Sequence, residues 1–172
     1  MLPLVWGSSP GEHARRYPAD DLVDGPVLRM TRAVGVDAPP ALVWRWICQI
    51  AVAPYSYDWI DNRGHRSPRH LTPGVVDPVV GQRVQVFRVT DVDPGRHWSG
   101  LTIPKVFGRT AVTYAVEPAG AGSRLVCRIT TSQRGPLAWA SSRLLAWGDL
   151  VMMRKQLLTF QELAERDAGR DV

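Results

Sequence analysis

A chain of 172 residues, 45% hydrophobic and 22% charged, is long enough to bury roughly two-thirds of its unfolded surface around one core and short for two domains. Its formal charge of +5 and pI near 9.8 raise nucleic acid as a partner. The 21 basic residues are, however, dispersed along the chain as solvated charge is, so no nucleic-acid partner is expected. No window approaches the ~18 apolar residues of a membrane span, and the start MLPLVWGSSPGEHARR lacks the cationic lead and apolar run of a signal peptide. Cys48 and Cys127 sit inside apolar periodic segments, where a free thiol behaves as a small hydrophobe. The expectation is a soluble protein of a reducing cytoplasm.

Residues 1–26 hold Pro3, Pro10, Pro18 and Pro26 with Asp20, Asp21 and Asp24, a composition that resists helix and central strand. They are read as an arm over the domain or a loose tail, before a single domain over 27–168 and a tail over 169–172. From Leu28 to Val36, Leu28, Met30, Val34 and Val36 share one strand face, which Arg32 interrupts. A cation there is costly unless an acid meets it, so Asp58, Asp61 or an anionic ligand is expected beside Arg32. Asp37 is read as the cap of the next helix, with Pro39 and Pro40 in its first turn. Val43, Trp46, Ile47 and Ile50 then recur at i, i+3, i+4 and i+7. After Pro54, YSYDWIDN is read as a second short helix or an ordered loop, and Arg63 to Gly74 as loop.

From Gln82 the period changes to two. Arg83 to Asp91 and His97 to Ile103 flank the turn Asp93-Pro94-Gly95-Arg96, while Arg109 to Glu117 and Ser123 to Ser132 flank Pro118 to Gly122, predicting two antiparallel hairpins. After Gly135-Pro136 a proline-free segment from Leu137 to about Asp167 predicts a terminal helix. Trp147, Leu150, Val151, Leu157 and Leu158 fall on one broad arc of it, with Arg154 and Gln161 on the same side. Strand, short helices, antiparallel strands and one long helix make an α+β domain whose sheet curves around the last helix. A gap between such a sheet and one helix is a natural ligand cavity. The segment Val43 to Asn62, with Trp44, Trp46, Tyr55, Tyr57 and Trp59 beside Asp58 and Asp61, suits its wall, because buried Trp and Tyr need polar partners.

The chain resembles the SRPBCC superfamily, the START-like or Bet v 1-like helix-grip proteins, and within it a bacterial branch labelled polyketide cyclase/dehydrase-like. The likeness is carried by TRAVGVDAPPALVWRW (Thr31 to Trp46), YSYDWIDN (Tyr55 to Asn62), VGQRV (Val80 to Val84), SRLVCRI (Ser123 to Ile129) and DLVMMRKQLLTFQELAE (Asp149 to Glu165). It implies a curved antiparallel sheet wrapped around a long C-terminal helix, two short helices after the first strand, and a deep hydrophobic cavity. The superfamily binds lipids, sterols, polyketides or plant hormones, and some members catalyse aromatisation, cyclisation or hydrolysis. In place of a Gly/Arg-rich lead into the aromatic motif, this chain has Gln49-Ile50-Ala51-Val52-Ala53-Pro54. The cyclases' acid and base residues have no match here, so the resemblance assigns no catalytic residue.

The lining candidates are Trp46, Tyr55, Tyr57, Asp58, Trp59, Phe87, Trp98, Tyr114 and Met153, with Arg32, His97 and Arg154 as polar groups of the cavity. The expected function is binding of a small, mainly hydrophobic ligand, lipid or polyketide-like. The alternative is a cyclase or dehydratase-type enzyme in which Asp58 or His97 moves a proton. A third class, a protein-interaction or nucleic-acid-associated module, would use the Arg63 to His70 loop with Arg124 and Arg128. His65 and His70 have neither helical nor zinc-site spacing, so no metal is expected. P-loop, G-x-G-x-x-G and G-x-S-x-G patterns are absent, and no cofactor is implied.

Overall fold

The computed structural model describes residues 2–103, 108–134 and 136–170, the side chains of 61, 136–139 and 141 excepted. In chain order the elements are β1 (Val5–Trp6), α1 (Pro10–Ala14), β2 (Val27–Val36), α2 (Pro40–Cys48), α3 (Asp58–Asp61), β3 (Arg83–Val84), β4 (Phe87–Asp93), β5 (His97–Thr102), β6 (Thr110–Ala119), β7 (Gly122–Ser132) and α4 (Pro136–Ala168). The strands form one sheet in the order β1-β2-β7-β6-β5-β4-β3. All neighbours are antiparallel except β1, which runs parallel to β2.

The alternation of Thr110, Val112, Tyr114 and Val116 against Leu125, Cys127 and Ile129 sets the register of β6 and β7, which pair Tyr114 with Cys127. Their turn is tighter than expected: Ala119 pairs with Gly122, and Gly120 takes φ 59 at the first of two loop positions, where such hairpins favour glycine. The expected strand from Arg83 to Asp91 is broken. Gln85, at φ 52, donates its side-chain N–H to the Ile50 carbonyl at 2.8 Å, and β3 folds back onto β4 through Val84 and Phe87. Asp37 does not cap α2. Helix-compatible geometry begins only at Pro40, after Pro39 in the cap position, and the Asp37 N–H donates instead to Glu165 Oε1 at 3.0 Å.

One face of the sheet carries the main core. Met30, Val34, Val112, Tyr114, Leu125, Cys127, Ile129 and Trp98 meet Val43, Trp46 and Ile47 of α2 and Leu157, Phe160 and Leu163 of α4. Helix α4 packs chiefly on β2 and on α2. Its buried side is narrower than the expected arc: Leu150 and Leu157 are inside, whereas Trp147, Val151 and Leu158 face solvent. With successive residues turning 100°, these three lie too far around from Leu157 and Phe160 to reach the sheet.

The opposite face is covered by the segment from Ser9 to Val23. Ser9 and Glu12 form a reciprocal capping box at α1, and Tyr17 packs on Ala33, Ala115 and Val126. Ala19 and Val23 pack on Ala111. Arg128, fully buried, donates to the His13 and Arg15 carbonyls at 2.6 and 2.8 Å, and Arg124 clasps both Glu12 oxygens at 2.6 and 3.0 Å. That clasp holds the Glu12 carboxyl down at about 2. Arg124 and Arg128, candidates for an interaction surface in the third class, instead hold the N-terminal segment to the sheet.

Candidate functional site

The interior between sheet and α4 has a polar row laid down by strand register. Arg32 lies opposite Cys127, Cys127 opposite Tyr114, and Tyr114 opposite Trp98. Adjacent strands thus place guanidinium, thiol, phenol and indole side by side on the α4 face. Trp98 and Tyr114 stack with ring centres 5.0 Å apart and planes at 23°.

The partner of Arg32 is Asp149 of α4, at 3.0 Å, and not Asp58. The side chain of Asp61 lies outside the described residues. Arg32 also donates to the Leu4, Thr31 and Ala146 carbonyls at 2.7, 3.3 and 3.4 Å, so β1, β2 and α4 meet on one guanidinium. Burial raises the Asp149 carboxyl to about 6 against the opposing pull of Arg32, and burial likewise lowers the Arg32 pKa. For both groups desolvation outweighs the attraction between them. A cation on an apolar strand face was visible in the sequence, but its partner 117 residues away depends on how α4 is rotated. Local pattern does not reveal that.

Tyr114 donates to Gln156 Oε1 at 2.7 Å, and Gln156 donates to the Pro54 carbonyl at 2.6 Å. Ser56 Oγ donates to the Met152 carbonyl at 3.1 Å. These bonds tie sheet, helix and the 54–56 segment together. Burial drives the Tyr114 phenol and the Cys127 thiol well above their ordinary values, so both are neutral donors at physiological pH.

Tyr55 stands edge-on to Trp46, ring centres 6.0 Å apart, and against Phe160 at 5.2 Å. Its φ of 56 is an outlier for a bulky side chain and costs about 1–3 kcal/mol. Asp58 helps to hold it. The carboxylate accepts from the Ser67 N–H at 2.8 Å and from Ser67 Oγ at 2.5 Å, and Ser67 Oγ in turn accepts from the Tyr55 N–H at 3.1 Å. Asp58 is thus engaged in fixing a loop. Burial, with the nearby Asp58 charge, pushes the Tyr55 hydroxyl up to about 12.

The buried indoles divide in two. Trp44 donates to Asp77 at 2.6 Å and Trp46 to Asp167 at 3.1 Å, whereas Trp98 Nε1 has no partner among the described residues. Tyr55 Oη and Arg32 Nε share that condition. Each such orphaned group costs about 1–3 kcal/mol.

Trp46, Tyr55, Trp98, Tyr114, Phe87 and Met153 are brought into or against one cluster. Four of them, Trp46, Tyr55, Trp98 and Tyr114, are closed off from solvent, while Phe87, Tyr57, Met152 and Met153 remain partly accessible. Trp59, 74% exposed, stands outside. His97 lies on the other face: it pairs in register with Ala115, which packs under Tyr17, and its ring is 2.7 Å from Asp91. Arg154 is exposed, with its guanidinium 5.7 Å from the Trp6 ring centre. Among the described residues no cluster of His, Cys, Asp and Glu is suited to a metal ion. Asp149, Cys127 and Gln156 are site groups that the sequence reading passed over; only their heptad-like or alternating positions among apolar residues marked them.

The long terminal helix gripped by a curved antiparallel sheet is the helix-grip fold seen in a polyketide cyclase-like solved structure. Among solved structures the chain is similar to a Polyketide_cyc-like protein from Corynebacterium glutamicum, at 16% identity and a TM-score of 0.51, over 84% of this chain and 95% of that one. It is likewise similar to a protein from Mesorhizobium loti, at 16% identity and 0.52, over 80% and 97%. With the di-domain ARO/CYC StfQ from the steffimycin biosynthetic pathway it shares 16% identity and a TM-score of 0.53, over 88% of this chain and 53% of StfQ. No family model and no curated protein matches the chain.

Proposed function

We propose that the protein binds a small, mainly hydrophobic molecule, lipid or polyketide-like, between the sheet and α4. The observation that carries this reading is the pair of buried polar atoms Trp98 Nε1 and Tyr55 Oη, without partners among the described residues, in an otherwise apolar cluster. An interior selected only for packing would use Phe at both positions and avoid the desolvation cost. A ligand with oxygen acceptors on an apolar frame satisfies those groups and covers the rings. Partly accessible Phe87, Tyr57, Met152 and Met153 form its way in, the methionines adapting to shape, and the Trp98–Tyr114 stack parts to admit it.

A second reading, a cyclase or dehydratase-type enzyme on the same ligand, is favoured by one observation. Asp149 has a carboxyl raised to about 6 on a side chain that is 18% exposed, a poise suited to proton transfer near neutral pH. Native mass spectrometry of the purified protein tests both. A co-purifying small molecule returned unchanged after incubation supports binding alone, a changed mass supports catalysis, and failure to retain any apolar probe at one-to-one stoichiometry refutes the proposal.

A further inference from the structure

The solvent side of α4 is apolar where a surface helix should be polar. Leu144, Trp147 and Val151 are 77%, 52% and 52% exposed, and Leu158 continues the same line. At 100° per residue these four fall within about 60° of arc, opposite the face that Leu157 and Phe160 bury. The stripe runs for about 21 Å along the axis. Apolar residues thus occupy both sides of α4, and among the described residues the outer one is left uncovered.

The charges beside the stripe indicate what covers it. Between Pro136 and Glu162 the charged residues are Arg143, Asp149, Arg154, Lys155 and Glu162. Asp149 turns inward to Arg32, while the three cations are exposed. The loop after α3 adds exposed Arg63 and Arg66, and its Arg69 reaches Glu162 of α4, which places this loop alongside the helix. Trp59 and Ile60 of α3 are exposed large hydrophobics as well. An exposed Trp-containing apolar stripe bordered by Arg154 and Lys155, with Glu162 at its C-terminal end already paired to Arg69, fits the headgroup region of an anionic bilayer. A second copy of the chain would set like charges against each other, and a neutral protein surface would leave Arg154 and Lys155 without opposite charge.

We propose that the outer face of α4, from Leu144 to Leu158, is a membrane-surface docking site selective for anionic lipid. The helix lies in the interface plane with Leu144, Trp147 and Val151 inserted and Arg154 and Lys155 at the phosphates. The inference does not depend on the identity of the internal ligand.

Co-sedimentation of the full chain with vesicles of phosphatidylcholine alone, and of phosphatidylcholine mixed with phosphatidylglycerol, tests it. Binding to the mixed vesicles should exceed binding to the neutral ones and fall with added salt. The double substitution Trp147→Ser with Val151→Ser should weaken it on the order of tenfold. Lys155→Glu, which removes no apolar surface, should also weaken it while leaving circular dichroism unchanged. Equal binding to both vesicle types, or mixed-vesicle binding untouched by Lys155→Glu, overturns the proposal. So does light scattering that shows a dimer in solution dissociated by the Trp147 and Val151 substitutions.

Discussion

Asp149 offers a pH test of the buried polar row. Its ordinary carboxyl value of 3.8 rises to about 6 in the folded chain. Between those values the native state holds the Asp149 proton while the unfolded chain has released it. Stability contributed by this group is therefore complete below pH 3.8, declines as pH rises through 6, and is gone above it. At about 1.36 kcal/mol per pH unit, the full change is about 3 kcal/mol. Urea unfolding of wild type and Asp149→Asn at several pH values from 4 to 7.5 isolates it, because the other titrating groups are common to both proteins. The stability of wild type relative to Asp149→Asn should fall by about 2–3 kcal/mol across this range. A flat difference, or one that grows in favour of wild type with rising pH, would show that attraction to Arg32 dominates over burial and would refute the reasoning.

Further predictions concern positions where one atom decides the outcome. Tyr55→Phe removes a hydroxyl that has no partner among the described residues, so urea unfolding should show a gain in stability of about 1–3 kcal/mol over wild type, while retention of an apolar probe weakens. Arg128→Met frees the His13 and Arg15 carbonyls and leaves buried Asp20 beside an apolar side chain; a loss of about 3–5 kcal/mol is expected. Limited proteolysis should then cut first within residues 2–26. At Gly122 an added Cβ would sit 2.4 Å from the Val36 carbonyl oxygen, so Gly122→Ala should lower stability by about 1–3 kcal/mol in thermal unfolding.

How much of this was legible in the sequence depended on the range of the interaction. The alternation in β6 and β7 and the Val43, Trp46, Ile47, Ile50 stripe running through α2 and the turn after it are local signals, and the chain folds as they indicate. The break at Gln85 was not visible, because it rests on a hydrogen bond to Ile50, 35 residues away. Asp37 carried a cap signal that two prolines displaced along the chain. Trp147, Val151 and Leu158 read as core because an apolar residue on a helix is ordinarily turned inward, whereas here they line the outer face. The site was half visible: strand alternation picked out Tyr114, and the aromatic density of residues 43–62 picked out Tyr55. Trp59 and His97 carried the same chemical promise and lie elsewhere, since residue type does not disclose which face of a sheet or helix a position takes.

The central claim, a ligand seated between sheet and α4, is tested most directly at the Trp98 indole N–H. Its nuclear magnetic resonance signal, assigned by loss in Trp98→Phe, can be followed as 1-anilinonaphthalene-8-sulfonate is added. Binding inside the fold predicts a saturable one-to-one shift of the Trp98 signal as that donor gains an acceptor, with Trp44 and Trp46, already bonded to Asp77 and Asp167, changing less. A Trp98 signal that stays fixed while the exposed Trp59 and Trp147 signals move would place the probe on the surface and contradict the account.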